Sequence, residues 1–367
     1  MKRRVLCIIS SMNTGGAETF IMKLFRASDS ITFDFCISGE GDNFYADEIA
    51  ALGGRIFKTP AKSKNPLRTF FAIGRIVREN NIDTVLRVSE HSLASLDLVA
   101  AALGGAKTRI FRSTNSRSIG GAGRAALHKL FRFMLNASAN VKIAPSDLAA
   151  EYTFGKRLVK KGKVCILNNG IRTDDYTYSD EKRRRIRDEL GIPQNALVIG
   201  HVGRFMRQKN HGFLIDVFKS IHDERGDAVM TLTGVGEDEP AVREKVKRLG
   251  LEKCVLFLGT RSDMGAVLSA ADIYVFPSLY EGMPNTVIEA QASGLKCLIS
   301  DTITRGADIT GLVEYMSLES GPQAWARRAL DLADGYERPD QKQVFAAAGY
   351  DIDAVAEKFE RLISDKH

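Results

Sequence analysis

Cysteine is scarce and unpaired in this sequence of 367 residues. An odd number of scattered cysteines argues against a disulfide framework, and the lack of any C-x-x-C pair removes the usual signature of a structural zinc site. Most of them lie in apolar stretches of strand length, so we expect small buried thiols in a reducing, cytosolic environment. The five cysteines are Cys7, Cys36, Cys165, Cys254 and Cys297.

Long apolar runs are also missing, since no stretch approaches the roughly 20 residues that a membrane-spanning helix needs. Residues 1–9, K-R-R followed by V-L-C-I-I, resemble a signal peptide, but the apolar part is too short and no cleavage segment follows. We expect a buried first strand there instead.

The charge excess is small as well. A net charge of +7 permits attraction to phosphorylated or anionic partners and selects none of them.

Strand-length apolar runs alternate with segments of helical period along the chain, which is the pattern of parallel α/β folds. The length favours two domains. The first series of strands is predicted at 5–10, 32–38, 55–58, 84–88, 108–113, 141–144 and 164–167, with helices such as 17–26, 67–79, 92–103 and 122–135. A second series is predicted at 196–203, 229–233, 254–258, 273–276 and 297–300. The turn-rich join falls at 168–195, where the basic run 182–185 is predicted to be a solvated helix face.

The most informative stretch is residues 277–301, P-S-L-Y-E-G-M-P-N-T-V-I-E-A-Q-A-S-G-L-K-C-L-I-S-D. A strand should end before Pro277, and Pro284 fits the first turn of a helix that stops at Gly294. Free N–H groups at that helix start attract phosphate, and carboxylates beside it can accept hydrogen bonds from sugar hydroxyls. The pair Glu281 and Glu289 therefore predicts a phosphorylated sugar ligand, provided that cations lie nearby. An ordinary helix with two solvated Glu residues is the alternative.

The loop after the first strand of the second series supplies those cations. It reads G-R-F-M-R-Q-K-N over residues 203–210 and contains Arg204 and Lys209. A planar guanidinium and a mobile ammonium can hold a diphosphate from two sides and neutralise it as a leaving group. A plain solvated basic loop is the alternative.

These motifs resemble glycosyltransferase family 4, whose members are retaining enzymes of GT-B fold that use nucleotide-sugar donors. The E-G-x-P-x-x-x-x-E-A segment matches the family's E-x7-E motif. The G-R-x-x-x-x-K-N loop matches its diphosphate clamp, and G-G-A-E at 15–18 matches its amino-terminal loop. Residues 300–304 and 315–326 further resemble the branch that builds bacterial exopolysaccharide or capsule. The motif match is carried by Glu281, Gly282, Pro284, Glu289, Ala290 and Gly294.

The resemblance implies an α/β protein with two Rossmann-like domains facing across a cleft. The first would be an acceptor-side domain, 1–170, on which the terminal helix at 351–367 packs back, and the second a nucleotide-sugar domain, 171–350. It implies catalytic roles for Glu281, Arg204 and Lys209, with no protein nucleophile, because the leaving phosphate deprotonates the acceptor. The implied donor-binding residues are Gly16, Gly203, Gly234, Thr260, Arg261, Gly282, Met283, Asn285, Thr286 and Glu289.

The sequence departs from the family in the first domain. Members often carry a histidine after the strand that here ends at residue 113, and this sequence has Thr114 followed by Asn115. His91, which follows the preceding strand, is a candidate substitute. These three residues are candidate contacts for the sugar or the acceptor.

No metal and no obligatory cofactor are expected. The string Asp351-Ile-Asp353 lies among the predicted terminal helices and fits a helix cap. The glycine strings at 121–126 and 234–236 lack the context of a dinucleotide fingerprint, so NAD is not expected. The helix at 124–135 is amphipathic and basic. Packing against the sheet is the favoured interpretation, and contact with an anionic bilayer stays open.

We therefore predict a cytoplasmic glycosyltransferase that moves a sugar, most simply from UDP, to a lipid-linked surface glycan. It would have no nucleic-acid partner and could touch the inner face of the cytoplasmic membrane. Two alternatives remain: a nucleotide-sugar epimerase or hydrolase on the same scaffold, and a non-catalytic subunit that regulates a transferase.

Overall fold

The structure, a computed structural model, describes residues 2–13, 16–38, 44–114 and 121–364. The chain divides into two compact units. Unit 1 comprises Met1–Ile171 and Gly349–His367, and unit 2 comprises Arg172–Ala348. None of the described helices combines the length and the apolar character that crossing a membrane requires.

Unit 1 is a parallel sheet with helices on both faces. Its strands are β1 (Arg3–Ile9), β2 (Ile31–Ser38), β3 (Ile56–Thr59), β4 (Thr84–Ser89), β5 (Thr108–Ser113), β6 (Val141–Ala144) and β7 (Cys165–Ile166). Its helices are α1 (Gly16–Ala27), α2 (Ala46–Ala51), α3 (Pro66–Glu79), α4 (Leu96–Leu103), α5 (Gly121–Ser138), α6 (Asp147–Phe154) and α7 (Lys156–Lys160), together with the carboxyl-terminal helix.

Unit 2 repeats the architecture with one strand fewer in its sheet. Its helices are α8 (Thr173–Tyr176), α9 (Asp180–Leu190), α10 (His211–Glu224), α11 (Glu239–Arg248), α12 (Met264–Ala270), α13 (Asn285–Ala292), α14 (Gly321–Ala333) and α15 (Lys342–Ala347). Helix α16 (Ile352–Ser364) follows and belongs to unit 1. The strands of unit 2 are β8 (Val198–Val202), β9 (Val229–Thr233), β10 (Val255–Gly259), β11 (Ile273–Phe276), β12 (Cys297–Ser300) and β13 (Val313–Met316).

Both sheets reverse their strand order at one point. Unit 1 has the order β3-β2-β1-β4-β5-β6-β7, and unit 2 has β10-β9-β8-β11-β12-β13. The chain thus leaves β1 and β4, or β8 and β11, toward opposite faces of the sheet, which opens a crevice beyond the carboxyl ends of those strands. A ligand site is expected at the β1/β4 edge of unit 1 and at the β8/β11 edge of unit 2.

Helix α16 completes the core of unit 1 although it follows unit 2 in the sequence. Its Phe359 is fully buried and lies 6.0 Å, centroid to centroid, from the ring of Phe33 on β2. The chain leaves unit 1 at Ile171 and re-enters beside the same residue. There the Ile171 amide donates to Tyr350 O at 2.9 Å, and the Ile352 amide donates to Ile171 O at 3.1 Å. The two crossings therefore form one short parallel bridge.

Helix α5 only partly fits the sheet-packing interpretation. Leu135 and His128 are buried against the neighbouring elements, as that interpretation requires. Leu127, Leu130 and Phe133 instead lie on the exposed side of the helix. The helix thus has two apolar stripes. One packs against the rest of unit 1, and the other, with Leu127, Leu130 and Phe133, has no covering element among the described residues.

Three local expectations need correction or extension. Pro284 does not lie inside the first turn of α13 but precedes it, with an extended ψ of 96°, and its carbonyl accepts the amides of Val287 and Ile288. Strand β13 was not predicted, because a four-residue edge strand of half-buried side chains has little apolar signal. In the basic run 182–185, Arg183 is not solvated, since it pairs with Asp272 at 2.7 Å.

The D-x-D string behaves as a cap. Asp351 Oδ1 accepts the amides of Asp353 and Ala354 at 3.1 and 3.0 Å, at the start of α16. This is the hydrogen-bonding role of an N-cap residue.

Candidate functional site

The loop that follows β8 turns sharply before α10. A single turn of 3-10 helix, Arg207–Lys209, ends at Asn210, whose φ of 56° and ψ of 43° lie in the left-handed region. Asparagine tolerates this conformation better than most residues, which explains how it can replace a glycine here. The turn brings Lys209 back over the carboxyl end of the sheet.

The loop after β11 is held against it by three hydrogen bonds. The amide of Leu279 donates to Gln208 O at 2.8 Å, and Gln208 Nε2 donates to Tyr280 O at 2.8 Å. Asn210 Nδ2 donates to Pro277 O at 3.2 Å. The two predicted motifs are thus one connected structure at the β8/β11 edge.

An ion pair lies at the centre of this structure. Lys209 Nζ donates to Glu281 Oε1 at 2.7 Å, and the two side chains are only 15% and 10% exposed. Ser278 Oγ donates to the same oxygen at 2.9 Å, and the ammonium lies 4.6 Å from the centroid of the Phe276 ring. Both charges are therefore held in position by protein contacts.

Arg204 differs from Lys209 because it has no such partner. Its side chain is exposed, and it forms no hydrogen bond or ion pair with any residue that the structure describes. A guanidinium in this state can donate to an incoming anion without first breaking a protein contact.

Helix α13 begins beside this ion pair and carries the second carboxylate of the motif. Its N-cap residue is Pro284, no side chain among the described residues caps the first amides, and such a helix start favours negative charge. Thr286 lies in its first turn, and Glu289, 7% exposed, lies on the following turn. The sequence-predicted residues Gly282, Met283, Asn285, Thr286 and Glu289 are accordingly grouped around one helix start.

Glycine 234 is required by the packing of the loops. Its φ is 138°, and a Cβ atom there would lie 2.2 Å from Gly203 O. The Gly234 amide donates to Gly259 O at 2.8 Å, which joins the loops after β8, β9 and β10. Gly203 and Gly234 thus allow two backbones to approach each other at the edge that carries Arg204.

Arg261 is tied to other side chains, unlike Arg204. It pairs with Asp263 at 2.7 Å and with Glu189 at 2.6 Å. The hydrogen bonds that the guanidinium donates to Asp263 and then to Glu189 raise its pKa above the ordinary value. Its neighbour Thr260 is exposed. Arg261 therefore orders the rim of the site, and a ligand would have to compete with two carboxylates for it.

Two buried histidines behind Lys209 were missed by the sequence analysis. His201 Nδ1 is bonded to Val275 O at 2.9 Å, while His201 Nε2 and both ring nitrogens of His211 find no hydrogen-bond partner among the described residues. Burial, and then the charge of Lys209, lowers the pKa of His211 to about 4. The pKa of His201 is also held well below its usual value by burial. Both rings are therefore neutral near pH 7 and do not oppose the ammonium. The only hint in the sequence was His201, a polar residue inside the otherwise apolar strand β8.

Unit 1 has a cavity of about 580 Å³ at the β1/β4 edge. Two predicted residues, His91 and Thr114, line it, whereas Gly16 begins α1 close by. Asn115 lies outside the described residues. Of the acidic lining residues, Glu18 was noted in the sequence only as part of the G-G-A-E motif, and Glu90 was not singled out. The lining comprises Ile9, Ser10, Ala17, Glu18, Val88, Ser89, Glu90, His91, Leu93, Thr114 and Leu127.

His91 is oriented by its own loop. Its Nδ1 accepts the amide of Leu93 at 3.3 Å. The ring of His128 lies 5.6 Å away, centroid to centroid, and its Nδ1 accepts the amide of Ser92 at 3.0 Å. Burial lowers the pKa of His128. Among the described residues, no cluster of three or more His, Cys, Asp or Glu could hold a metal ion.

The chain is similar to known glycosyltransferases. The family model described as Glycosyl transferases group 1 matches residues 196–335. EpsF of Bacillus subtilis (strain 168), a protein named as a glycosyltransferase, is 33% identical over 359 residues, which cover 95% of this chain and 93% of EpsF.

Two further proteins are similar. The UDP-Gal:alpha-D-GlcNAc-diphosphoundecaprenol alpha-1,3-galactosyltransferase of Escherichia coli is 32% identical over 142 residues, 38% of this chain and 37% of that enzyme. Anabaena HepE, solved in complex with UDP and glucose, superposes with a TM-score of 0.75 at 17% identity, over 98% of this chain and 99% of that chain. At that identity the likeness shows the fold alone, which is the GT-B pair of Rossmann-like domains.

Proposed function

This chain belongs to the family of group 1 glycosyltransferases, and we propose that it transfers a sugar from a UDP-sugar to a hydroxyl group of a lipid-linked surface glycan. The observation that carries this proposal is the ion pair of Lys209 with Glu281, on the same loop as Arg204, whose guanidinium has no partner among the described residues. This arrangement would offer two cations and a hydrogen-bond-accepting carboxylate to one ligand, and a nucleoside diphosphate bearing a sugar needs all three.

The roles follow from the charges. Arg204 and Lys209 would bind the diphosphate, and Lys209 would also hold Glu281 in place. Glu281 and the amides at 282–285 would bind the sugar hydroxyls, and Glu289 would accept hydrogen bonds from the ribose. Gly203 and Gly234 give the backbone close access to the phosphates, and Thr260 and Arg261 would border the base. No metal or other cofactor is needed in this scheme, because Arg204 and Lys209 neutralise the diphosphate.

The proposed reaction retains the configuration at the sugar carbon. The bond from that carbon to the phosphate oxygen breaks as the two cations stabilise the negative charge of the leaving UDP. The acceptor oxygen bonds to the carbon on the same face, and its proton moves to the leaving phosphate oxygen. The chain's own part is to bind, orient and neutralise, and no side chain forms a covalent intermediate.

The choice of UDP and of a lipid-linked acceptor is supported by relatives. HepE, whose fold this chain shares, was solved with UDP and glucose. The name of the Escherichia coli relative specifies UDP-Gal as donor and a diphosphoundecaprenol-linked sugar as acceptor. Exopolysaccharide, capsule and O-antigen repeats are the glycans assembled in this way, and contact with the inner face of the cytoplasmic membrane fits such an acceptor. The cavity of unit 1, with His91 and Thr114, would receive the acceptor or the transferred sugar.

The experiment that tests the proposal is a thermal-shift panel with UDP, GDP, ADP and NAD at equal concentration. A ligand present at about 100 times its Kd adds about 2.7 kcal/mol to the stability of the state that binds it. A rise in Tm with UDP supports the donor assignment. A rise with GDP instead redirects the donor to a GDP-sugar, and a rise with NAD alone refutes the proposal.

Product analysis then separates the transferase from the epimerase or hydrolase. The transferase releases UDP only when an acceptor is present, and NMR of the product shows the anomeric configuration of the donor. Release of UDP at full rate without any acceptor would favour the hydrolase, and an inverted product would refute the retaining mechanism.

A further inference from the structure

Three neighbouring helices on one face of unit 1 expose large apolar side chains. Leu67 and Phe71 on α3 are 73% and 69% exposed, and Phe133 on α5 is 71% exposed. Single exposed apolar residues are ordinary, but several on neighbouring helices of one face indicate an interaction surface. We call this group the α3–α5 rim, and it consists of Leu67, Phe71, Leu96, Leu127, Leu130 and Phe133.

The three helices form one layer. A Cβ on Gly104, at the end of α4, would lie 2.5 Å from Gly74 O of α3, so these two helices are in close contact. Helix α5 contacts the turn that leads into α4, where Ser92 Oγ donates to His128 O at 2.9 Å. The rim residues therefore lie on adjacent helices of the same face.

The rim lies beside the cavity of unit 1. In a parallel α/β sheet, each helix starts near the carboxyl ends of the strands, and α3 and α4 begin at Pro66 and Leu96. Leu67, Phe71 and Leu96 are thus at the cavity edge of the layer. Leu127 lines the cavity itself, and Leu130 and Phe133 continue its stripe along α5 at helical spacing.

The charge around the rim is positive. Lys64, Arg68 and Lys129 are exposed, and the sequence of α5 contains no Asp or Glu. Asp97, at the start of α4, is buried and ion-paired with Arg87 at 2.7 Å. Over residues 101–171 there are 13 Lys and Arg against 2 Asp and Glu. Unit 1 has 29 against 18, a net +11, whereas unit 2 has 23 against 27, a net −4.

We propose that the α3–α5 rim binds the surface of an anionic lipid bilayer, with Leu130 and Phe133 entering the acyl boundary. Apolar side chains flanked by Lys and Arg are what a negatively charged bilayer surface selects. A second copy of the chain is the poorer occupant, because two rims of the same positive charge repel each other. The inference deepens the proposed function and rests on it in one respect: the bilayer would present the lipid-linked acceptor at the edge where the cavity opens.

The test is co-sedimentation of the full chain with vesicles of phosphatidylcholine, with and without phosphatidylglycerol. The wild-type protein is expected to sediment with the anionic vesicles, weakly with pure phosphatidylcholine, and less at high salt. The double variant Leu130→Gln/Phe133→Gln should bind the anionic vesicles about tenfold more weakly or worse. The matched control is Leu103→Gln. Leu103 is 66% exposed and ends α4 at the opposite edge of the same layer, so its substitution should leave binding unchanged.

Three results would overturn the inference: no binding of the wild-type protein to anionic vesicles, equal binding by the double variant, or an equal loss in Leu103→Gln. A lipid-free dimer in sedimentation velocity that the double variant abolishes would also overturn it and would assign the rim to a second copy. The UDP-induced rise in Tm should be the same in all variants. Failure of vesicle binding is thereby distinguished from failure of the donor site.

Discussion

Lys209 and Glu281 come from two different loops, 72 residues apart in the sequence, and meet at 2.7 Å in a largely buried ion pair. Each side chain restrains the position of the other through this contact. Breaking such a pair leaves a buried charge without a partner, which costs about 3–5 kcal/mol when no ligand compensates. The pair therefore couples the cation that would bind the diphosphate to the carboxylate that would bind the sugar.

Substituting either partner should abolish most of the transfer. We expect Lys209→Met and Glu281→Gln each to lower kcat/KM by about 10²-fold or more while the protein stays folded, since a fixed electrostatic group is lost. Initial rates of UDP release, with circular dichroism to check folding, measure this. The control is Lys245→Met, which breaks the more exposed pair with Asp216 at 2.6 Å in the same unit. Full activity in both site variants would show that the site assignment is wrong.

Asn210 should tolerate glycine better than alanine. Alanine is strained at a φ of 56° by roughly 1–2 kcal/mol, and both substitutions lose the hydrogen bond to Pro277 O. The midpoint of urea unfolding should therefore be highest for the wild type, lower for Asn210→Gly and lowest for Asn210→Ala. Asn81, with a φ of 50° in unit 1, is the matched control, because Asn81→Ala should lower stability without affecting UDP binding. Equal midpoints for the Gly and Ala variants at 210 would contradict the backbone argument.

Stability should fall in mild acid because of the buried histidines. The pKa of His211 is lowered from 6.5 to about 4, so below pH 6.5 the unfolded chain takes up a proton that the folded protein does not. The stabilising contribution is thus present above pH 6.5 and is lost as pH falls toward 4. The variant His211→Phe should have a shallower dependence of Tm on pH across this window. A slope identical to that of the wild type would mean that another group is responsible.

Gly234→Ala should damage the site through its backbone. The new Cβ would lie 2.2 Å from Gly203 O and would push apart the loops that carry Arg204. We expect a loss of about 1–3 kcal/mol in stability and a smaller UDP-induced rise in Tm. Gly226→Ala is the control, because a Cβ there meets nothing within 4 Å. If Gly234→Ala shows the same UDP-induced rise in Tm as the wild type, the close approach of these loops is not required for donor binding.

The sequence was a good guide to the loops of unit 2 because their chemistry depends on local spacing. The signals are short: glycines at turns, two cations five residues apart on one loop, and a proline within one residue of a helix start. The ion pair could be anticipated as a need for a cation near the two carboxylates. Which cation pairs with Glu281 could not be predicted, because the sequence does not distinguish Lys209 from Arg204 until the turn at Asn210 is known.

What the sequence did not reveal depends on contacts between distant segments. His201 and His211 become a pair only when β8 is packed against the start of α10, with ring centroids 4.9 Å apart. Arg187 is a further example. The basic run 182–185 was predicted to be a solvated face, and two residues beyond it on the same helix Arg187 is fully buried, with Nη2 donating to Asp272 Oδ2 at 2.8 Å. Periodicity likewise left the orientation of α5 undecided, because two of its faces are apolar.

The bridge of Ile171 with the start of α16 has a consequence for how the protein is made. Unit 1 takes Phe33 from its early strands and Phe359 from α16, and the whole of unit 2 is synthesised between them. On the ribosome, unit 2 can therefore finish folding while the core of unit 1 still lacks one wall. Until α16 emerges, the apolar face of α1 that it covers stays open to water, and in that interval the nascent chain is most exposed to aggregation and to chaperones.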